Sequence, residues 1–407
     1  MRISGIINSV IYDQSCIGDT MDSEKPLSGL KVLDFSAVYA GPICARLLSD
    51  CGAEVIKIET PGTGDVTRGP RGTSRVFAHF NAGKRSIAID LKQETGQSLA
   101  KNLISDADVV IENFRPGVME QFGLDYTTIK NVRPDLIYCS ISGFGQTGPY
   151  VQRAAYAPIA HAASGFDFAH TASQGEPDAR PPIWGIMIAD MLTGAYAFGA
   201  IQAALIGRGK SGRGEHIDVS MMESMMMLIP GQIQAAQLEN PPAAGGFRPI
   251  TVKDGFVMVC IVSQKNMRCL CEAMDRPDIL ADKRFLRGER YKNMQAFIDE
   301  IESWSSSLSA LECEKRLNES GVPCSIYNAP DDLFAHPQIL ARNSFTELED
   351  DLGMFVIQNA PFQFSGSDIS TASASPLLGE HTDELLREKL SLDEAEIGLL
   401  HKQEVVY

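Results

Sequence analysis

Gly29 to Glu59 reads GLKVLDFSAVYAGPICARLLSDCGAEVIKIE. Leu30 to Phe35 reads as one short buried strand. Gly41 to Cys51 places Ile43, Leu47 and Leu48 at helical spacing, and Ala53 to Ile58 is apolar and β-branched again. A strand, a glycine turn, a helix and a second strand open a parallel α/β sheet. The alternation recurs downstream, with Ser86 to Leu91 as strand, Thr95 to Ser105 as helix, and Val109 to Asn113 and Leu136 to Ser142 as strands. This predicts a Rossmann-like half. No GxGxxG follows its first strand, so a dinucleotide site is not expected.

The 407 residues, 22% charged and 44% hydrophobic, suit a globular chain able to bury one large core or two. A formal charge of −16 argues against a nucleic-acid surface, which needs clustered cations. The nine cysteines show no CxxC pair and no ligand-like grouping with histidine. They read as reduced thiols of a cytoplasmic protein without structural zinc. Residues 1-25 form an N-terminal extension whose short apolar patch lacks a signal-peptide core. No apolar run is expected to span a membrane, which takes about 20 residues. Residues 26-235 are assigned to the large Rossmann-like domain and 236-250, rich in Pro, Gly and Ala, to a linker. A smaller α/β domain is expected over 251-340, and 341-407 closes the chain.

Between Ile183 and Ile206 the only charged residue is Asp190. A carboxylate among apolar neighbours is costly unless something pairs with it or uses it. Gly194, Gly199, Ala200, Ala203 and Ala204 suit a closely packed helix, followed by the basic turn Arg208 to Gly214 and a strand-like Glu215 to Val219. The local pattern by itself favours a buried helix whose first-turn Asp offsets the helix dipole.

Ala40-Gly41-Pro42, Gly52 to Glu59, Asn81 to Ile87, Asp90 to Lys92, Asp108 to Gly117, Gly321 to Cys324 and Pro376 to Asp383 accompany this segment. Together, from about Pro26 to Val406, the chain resembles the family III CoA-transferases. That group contains formyl-CoA and carnitine CoA-transferases and, as a side branch, α-methylacyl-CoA racemases. The resemblance implies that Asp190 is the nucleophile and that Ala243 to Gly246, with Gly245 and Gly246, is a mobile loop covering it. It implies CoA binding by Ala40, Lys84, Arg85, Ile89, Lys92, Asn113 and Arg115, with Phe114 and Phe144 beside the pantetheine. It also implies an interlocked homodimer, in which the chain leaves the large domain, builds the small one and returns. No cofactor is expected beyond coenzyme A as substrate, and neither nucleic acid nor membrane as partner.

A carboxylate suits CoA transfer because it is ionised near neutrality without a general base. Tyr39 stands where formyl-CoA transferases carry a glutamine; its phenol can donate to an oxyanion. This departure tilts the expected acceptor toward a dicarboxylate larger than oxalate, with His79, Arg153, His161 and Arg180 available for its second carboxylate. Two other functions remain open. A racemase needs a second acid/base, and Tyr156-Ala157 occupy the place of the racemase His-Asp pair, with His161 five residues displaced. A non-catalytic CoA-binding protein would keep the cations and lose Asp190.

Overall fold

The computed structural model describes residues 24–70, 72, 74–239, 247–286, 288–350, 352–371 and 373–407. Six parallel strands form the main sheet: β1 (Lys31–Asp34), β2 (Glu54–Glu59), β3 (Arg85–Ala88), β4 (Val109–Glu112), β5 (Ile137–Ser142) and β6 (Glu215–Ser220). Their order is β3-β2-β1-β4-β5-β6, the doubly wound order of Rossmann folds. The order reverses between β1 and β4. At such a switch point the loops leaving the carboxyl ends of two neighbouring strands part to opposite faces and open a crevice.

Neighbouring residues on each strand serve opposite faces. Val32, Val55, Val109 and Ile137 pack under α1 (Ala40–Asp50) and the long helix Ile188–Ser211. Leu33, Ile56, Val110 and Tyr138 pack under the helix Glu94–Ser105 and the C-terminal helices Thr382–Leu390 and Glu394–Lys402. Coverage on both faces explains why the central strands β4 and β5, VVIE and IYCSIS, are buried along their whole length. The chain end returns to this sheet: Asp90 N–H donates to Val405 O at 2.8 Å, and Ile89 bridges Val406.

Ile188–Ser211 spans 24 residues and is long and apolar enough to cross a bilayer by length and composition, which the expectation of no such run had missed. Its Gly194, Ala197 and Ile201 are buried. At Gly194 a Cβ would lie 2.6 Å from Ala40 O and would overlap Ile43 Cγ2. The helix therefore touches α1 backbone to backbone, as a core helix does.

The chain divides into two compact units. One holds the described residues through Asp167 with Pro182–Pro230 and Leu340–Tyr407; the other holds Phe168–Pro181 and Gly231–Ile339. The second unit has a three-stranded antiparallel sheet in the order β7-β8-β9 (Pro249–Val252, Gly255–Val259, Cys324–Ile326). Helices Gln264–Met274, Met294–Ser305 and Ala310–Glu319 supply Leu270, Phe297 and Leu317 to its own core. Residues 168–181 differ from the sequence expectation, which kept them in the large domain. They lie between two stretches of the first unit, and no local composition marks them.

Several charges lie inside the first unit. Lys84 Nζ meets Asp34 Oδ2 at 2.7 Å with both side chains fully buried, and it also donates to Pro42 O and Asn81 Oδ1. Burial pushes the ammonium down to about 8 and Asp34 opposes that fall. Burial also works against ionised Asp34, yet Lys84 and Lys57 hold its carboxyl below the ordinary range. Three hydrogen bonds saturate the ammonium, so Lys84 is a core ion and not the phosphate ligand expected from its position. Lys84→Met leaves Asp34 charged and unpaired, a loss of about 3–5 kcal/mol. Guanidinium unfolding at pH 7 measures it. The deficit shrinks under acid, where Asp34 takes up a proton in the variant.

Candidate active site

The helix Ile188–Ser211 starts without a side-chain cap from its N-cap residue, Met187. An imidazole from another helix (Ala157–Ala163) serves instead: Ala189 N–H donates to His161 Nε2 at 3.1 Å. His161 is 0% exposed and edge-on to the Trp184 ring at 5.5 Å. Burial lowers its pKa against the pull of Asp167, so the ring stays neutral and keeps the lone pair that accepts this bond. It is the interior histidine that its neighbours suggest.

Asp190 follows directly and is 8% exposed. It stands one turn before Gly194, on the same helix face. Because Gly194 admits α1 to van der Waals contact, Asp190 meets the start of α1, where the Ala40 backbone amide favours its ionised carboxylate. The carboxylate thus lies in the first turn of its own helix and at the N-terminus of a second, where helix dipoles favour negative charge. Burial pushes the carboxyl up to about 6, with the Ala40 amide acting in the opposite direction. It is a mostly ionised and poorly solvated carboxylate at neutral pH.

The loop before α1 is held on every side. Lys57 Nζ donates to Ser36 O at 2.7 Å and pairs with Asp65 at 3.1 Å. Asn113 closes two bonds on one residue, with Ala37 N–H to Oδ1 at 2.8 Å and Nδ2 to Ala37 O at 2.7 Å. Val38 N–H donates to the Asp65 carboxylate at 3.2 Å, and Val38 has φ 72°. A β-branched residue in that region is a true outlier and carries strain. Gly41 is glycine because a Cβ there would overlap the Ser36 side chain. Pro42 lies in the first turn, where its missing N–H has no intrahelical partner to lose. Tyr39 occupies the N-cap position, half-buried, with its ring 4.7 Å from Phe80.

The expected CoA ligands separate into two groups. Lys92 and Arg115 are exposed just beyond the carboxyl ends of β3 and β4, without an ion-pair partner among the described residues. Arg85 is instead bound to Glu54, Glu384 and Glu388 at 2.7–2.8 Å. The Ile89 side chain is 1% exposed in the core, and the Asn113 amide is engaged by Ala37. Ala40 directs its amide at Asp190. Phe114 leans on the core, and Phe144 is edge-on to Tyr150 at 5.6 Å. Gly245 and Gly246 lie outside the described residues.

Of the residues considered for a second carboxylate, His161 is buried, and His79, pushed down to about 4 by burial and by Arg46, is neutral. Arg180 is exposed and belongs to the other unit. Arg153 is exposed, its guanidinium 3.5 Å above the Tyr150 ring.

Sequence reasoning missed Glu112, which ends β4. Burial raises it to about 7, and it accepts the Phe114 N–H at 2.9 Å, which fixes the turn that carries Arg115. It also passed over Lys57 and Asp65. Lys57 had a visible signal, a lysine inside an apolar strand. No group of three or more metal-ligating side chains occurs among the described residues.

The family model for CoA-transferase family III matches residues 27–382. Succinate–glutarate CoA-transferase of Agrobacterium fabrum is 35% identical over 396 residues, 91% of this chain and 97% of that protein. Human succinyl-CoA:glutarate CoA-transferase is 35% identical over 404 residues, 95% of this chain and 91% of that one. The crystal structure of a CAIB/BAIF family protein from Brucella suis, 34% identical, covers 90% of this chain and 100% of its own with a TM-score of 0.77.

Asp190 links the site to stability. Its folded pKa, about 6, exceeds the ordinary 3.8, so ionising it costs stability as pH rises through that window. Asp190→Asn removes the cost. The variant should match the parent below the lower value and exceed it above pH 6 by roughly 3 kcal/mol. Denaturation midpoints across pH 3.5–8 measure the difference; a constant difference across that range contradicts the burial argument.

Proposed function

The chain belongs to CoA-transferase family III, and we propose that it moves CoA from an acyl-CoA to a small dicarboxylate through covalent chemistry on Asp190. The supporting observation is a buried carboxylate, pushed up to about 6, held by the Ala40 amide at a helix N-terminus. The relatives named for succinate and glutarate support a C4–C5 dicarboxylate pair as substrates.

An Asp190 oxygen attacks the donor thioester carbonyl, the C–S bond breaks, and CoA leaves as thiolate. The product is a mixed anhydride of Asp190 and the donor acid. The thiolate attacks the aspartyl carbonyl, releasing the donor carboxylate and leaving Asp190 as a CoA thioester. The acceptor carboxylate then displaces the thiolate, which attacks the acceptor carbonyl to give the new CoA ester and free Asp190. Water competes with each nucleophile, so burial of the aspartate protects both intermediates. Tyr39, next to Ala40, offers a hydroxyl to the developing oxyanion. Lys92 and Arg115 hold CoA phosphates, and Arg153 takes the acceptor's far carboxylate.

The working form is a homodimer of interlocked chains. Exposed Ile183, Ile186, Ile206 and Met227, on or beside the elements that carry Asp190, supply apolar surface for a second copy to cover. A racemase finds no support in His161, whose Nε2 is engaged by Ala189.

Incubation with succinyl-CoA and glutarate, followed by mass spectrometry of the CoA esters, tests the reading. Glutaryl-CoA should form, with kcat/KM climbing through about pH 6 as Asp190 ionises. Hydrolysis alone, or exchange confined to formate and oxalate, contradicts it. Lys92→Ala and Arg115→Ala should each raise the acyl-CoA KM about tenfold with little change in kcat, because phosphate contacts persist unchanged through the reaction.

A further inference from the structure

We propose that Asn113 is a positioning residue, which clamps the Ala37 backbone and thereby holds the left-handed Val38 turn that aims the Ala40 amide at Asp190. The proposal rests on the exchange reaction proposed above.

Asn113 sits at the switch point, one residue past the end of β4, and reaches across to the loop that leaves β1. Its carboxamide both accepts from and donates to Ala37, at 2.8 and 2.7 Å. That pair of bonds fixes the backbone on both sides of Ala37, which a single bond would leave free to rotate. The next residue, Val38, has φ 72°, a conformation it does not adopt unassisted. The Asp65 carboxylate takes the Val38 N–H and is itself held by Lys57. Two residues farther on, Ala40 packs against Gly194, one turn from Asp190, and its backbone amide favours the ionised carboxylate. Released from Asn113, Val38 relaxes toward negative φ, and the first peptide of α1 turns away from the aspartate.

The clamp lies within two residues of Arg115, yet the two act differently. Arg115 binds a group that does not change during reaction, whereas Asn113 sets the geometry of the nucleophile. The variants therefore separate in kinetics.

Asn113→Ala should lower kcat on the order of tenfold, the loss of two hydrogen bonds, with the acyl-CoA KM within about twofold of the parent. Its acid limb should move above the parent value, because the Ala40 amide no longer favours ionised Asp190. Val38→Gly in the Asn113→Ala background should restore most of kcat, since glycine adopts positive φ without strain. Asn113→Asp keeps the volume and the acceptor but loses the donor; it should fall between Asn113→Ala and the parent, and it serves if Asn113→Ala fails to fold.

A raised KM with unchanged kcat would make Asn113 a CoA contact and overturn the proposal. So would a kcat loss that leaves the acid limb in place and is not rescued by Val38→Gly. If the parent itself exchanges no CoA, the functional reading fails separately. The clamp is then judged without substrate, from the pH dependence of the stability gained on Asp190→Asn. That dependence is measured once in the parent and once in the Asn113→Ala variant. It should move to higher pH in the variant, and no shift overturns the clamp.

Discussion

One contact organises the site: the Ala40 amide on the Asp190 carboxylate, made possible by the glycine that lets two helices touch. Asp190 is the single charged residue of an apolar stretch, and burial penalises its ionised form. The amide at a helix N-terminus offsets part of that penalty. The result is a carboxylate that is ionised at neutral pH yet weakly solvated, which is what attack on a thioester and shelter of an anhydride both require. A fully solvated aspartate would be a poorer nucleophile, and without the amide the burial penalty would go unopposed.

The same constraint accounts for the charged interior around the first turn. The Ala40 amide is useful only if the strained loop before it is rigid. Lys57, Asp65 and Asn113 each take a backbone group of residues 36 to 38, and Asp34 with Lys84 forms the ionic floor beneath them. Buried ion pairs rarely stabilise a fold more than apolar packing of equal volume would. Their value here is geometric. At the switch point of a Rossmann-like sheet, where related folds open a glycine-rich crevice for a dinucleotide, this chain closes the gap with side-chain hydrogen bonds to the loop backbone.

The sheet was legible because short strands with apolar centres alternate with amphipathic helices. Asp190 was legible because a charge in an apolar run is conspicuous. The cations expected at the CoA phosphates could not be told apart in the sequence. Lys84, Arg85, Lys92 and Arg115 look alike in sequence as cations near strand ends. Only the fold shows that Lys84 turns inward to Asp34 and Arg85 toward glutamates more than 290 positions along the chain, as well as Glu54, while Lys92 and Arg115 stay free of ion pairs among the described residues. The bonds made by Asn113 were not legible for the same reason: its partner, Ala37, lies 76 positions away and is a backbone group, which leaves no trace in composition or spacing.

The central claim is that Asp190 carries the CoA. Hydroxylamine added during turnover with succinyl-CoA, followed by peptide mass spectrometry, reads it directly. Hydroxamate should appear at Asp190, only with acyl-CoA present, and be lost in Asp190→Asn along with exchange. Exchange that continues without modification of Asp190, or a hydroxamate at another carboxylate, would contradict it.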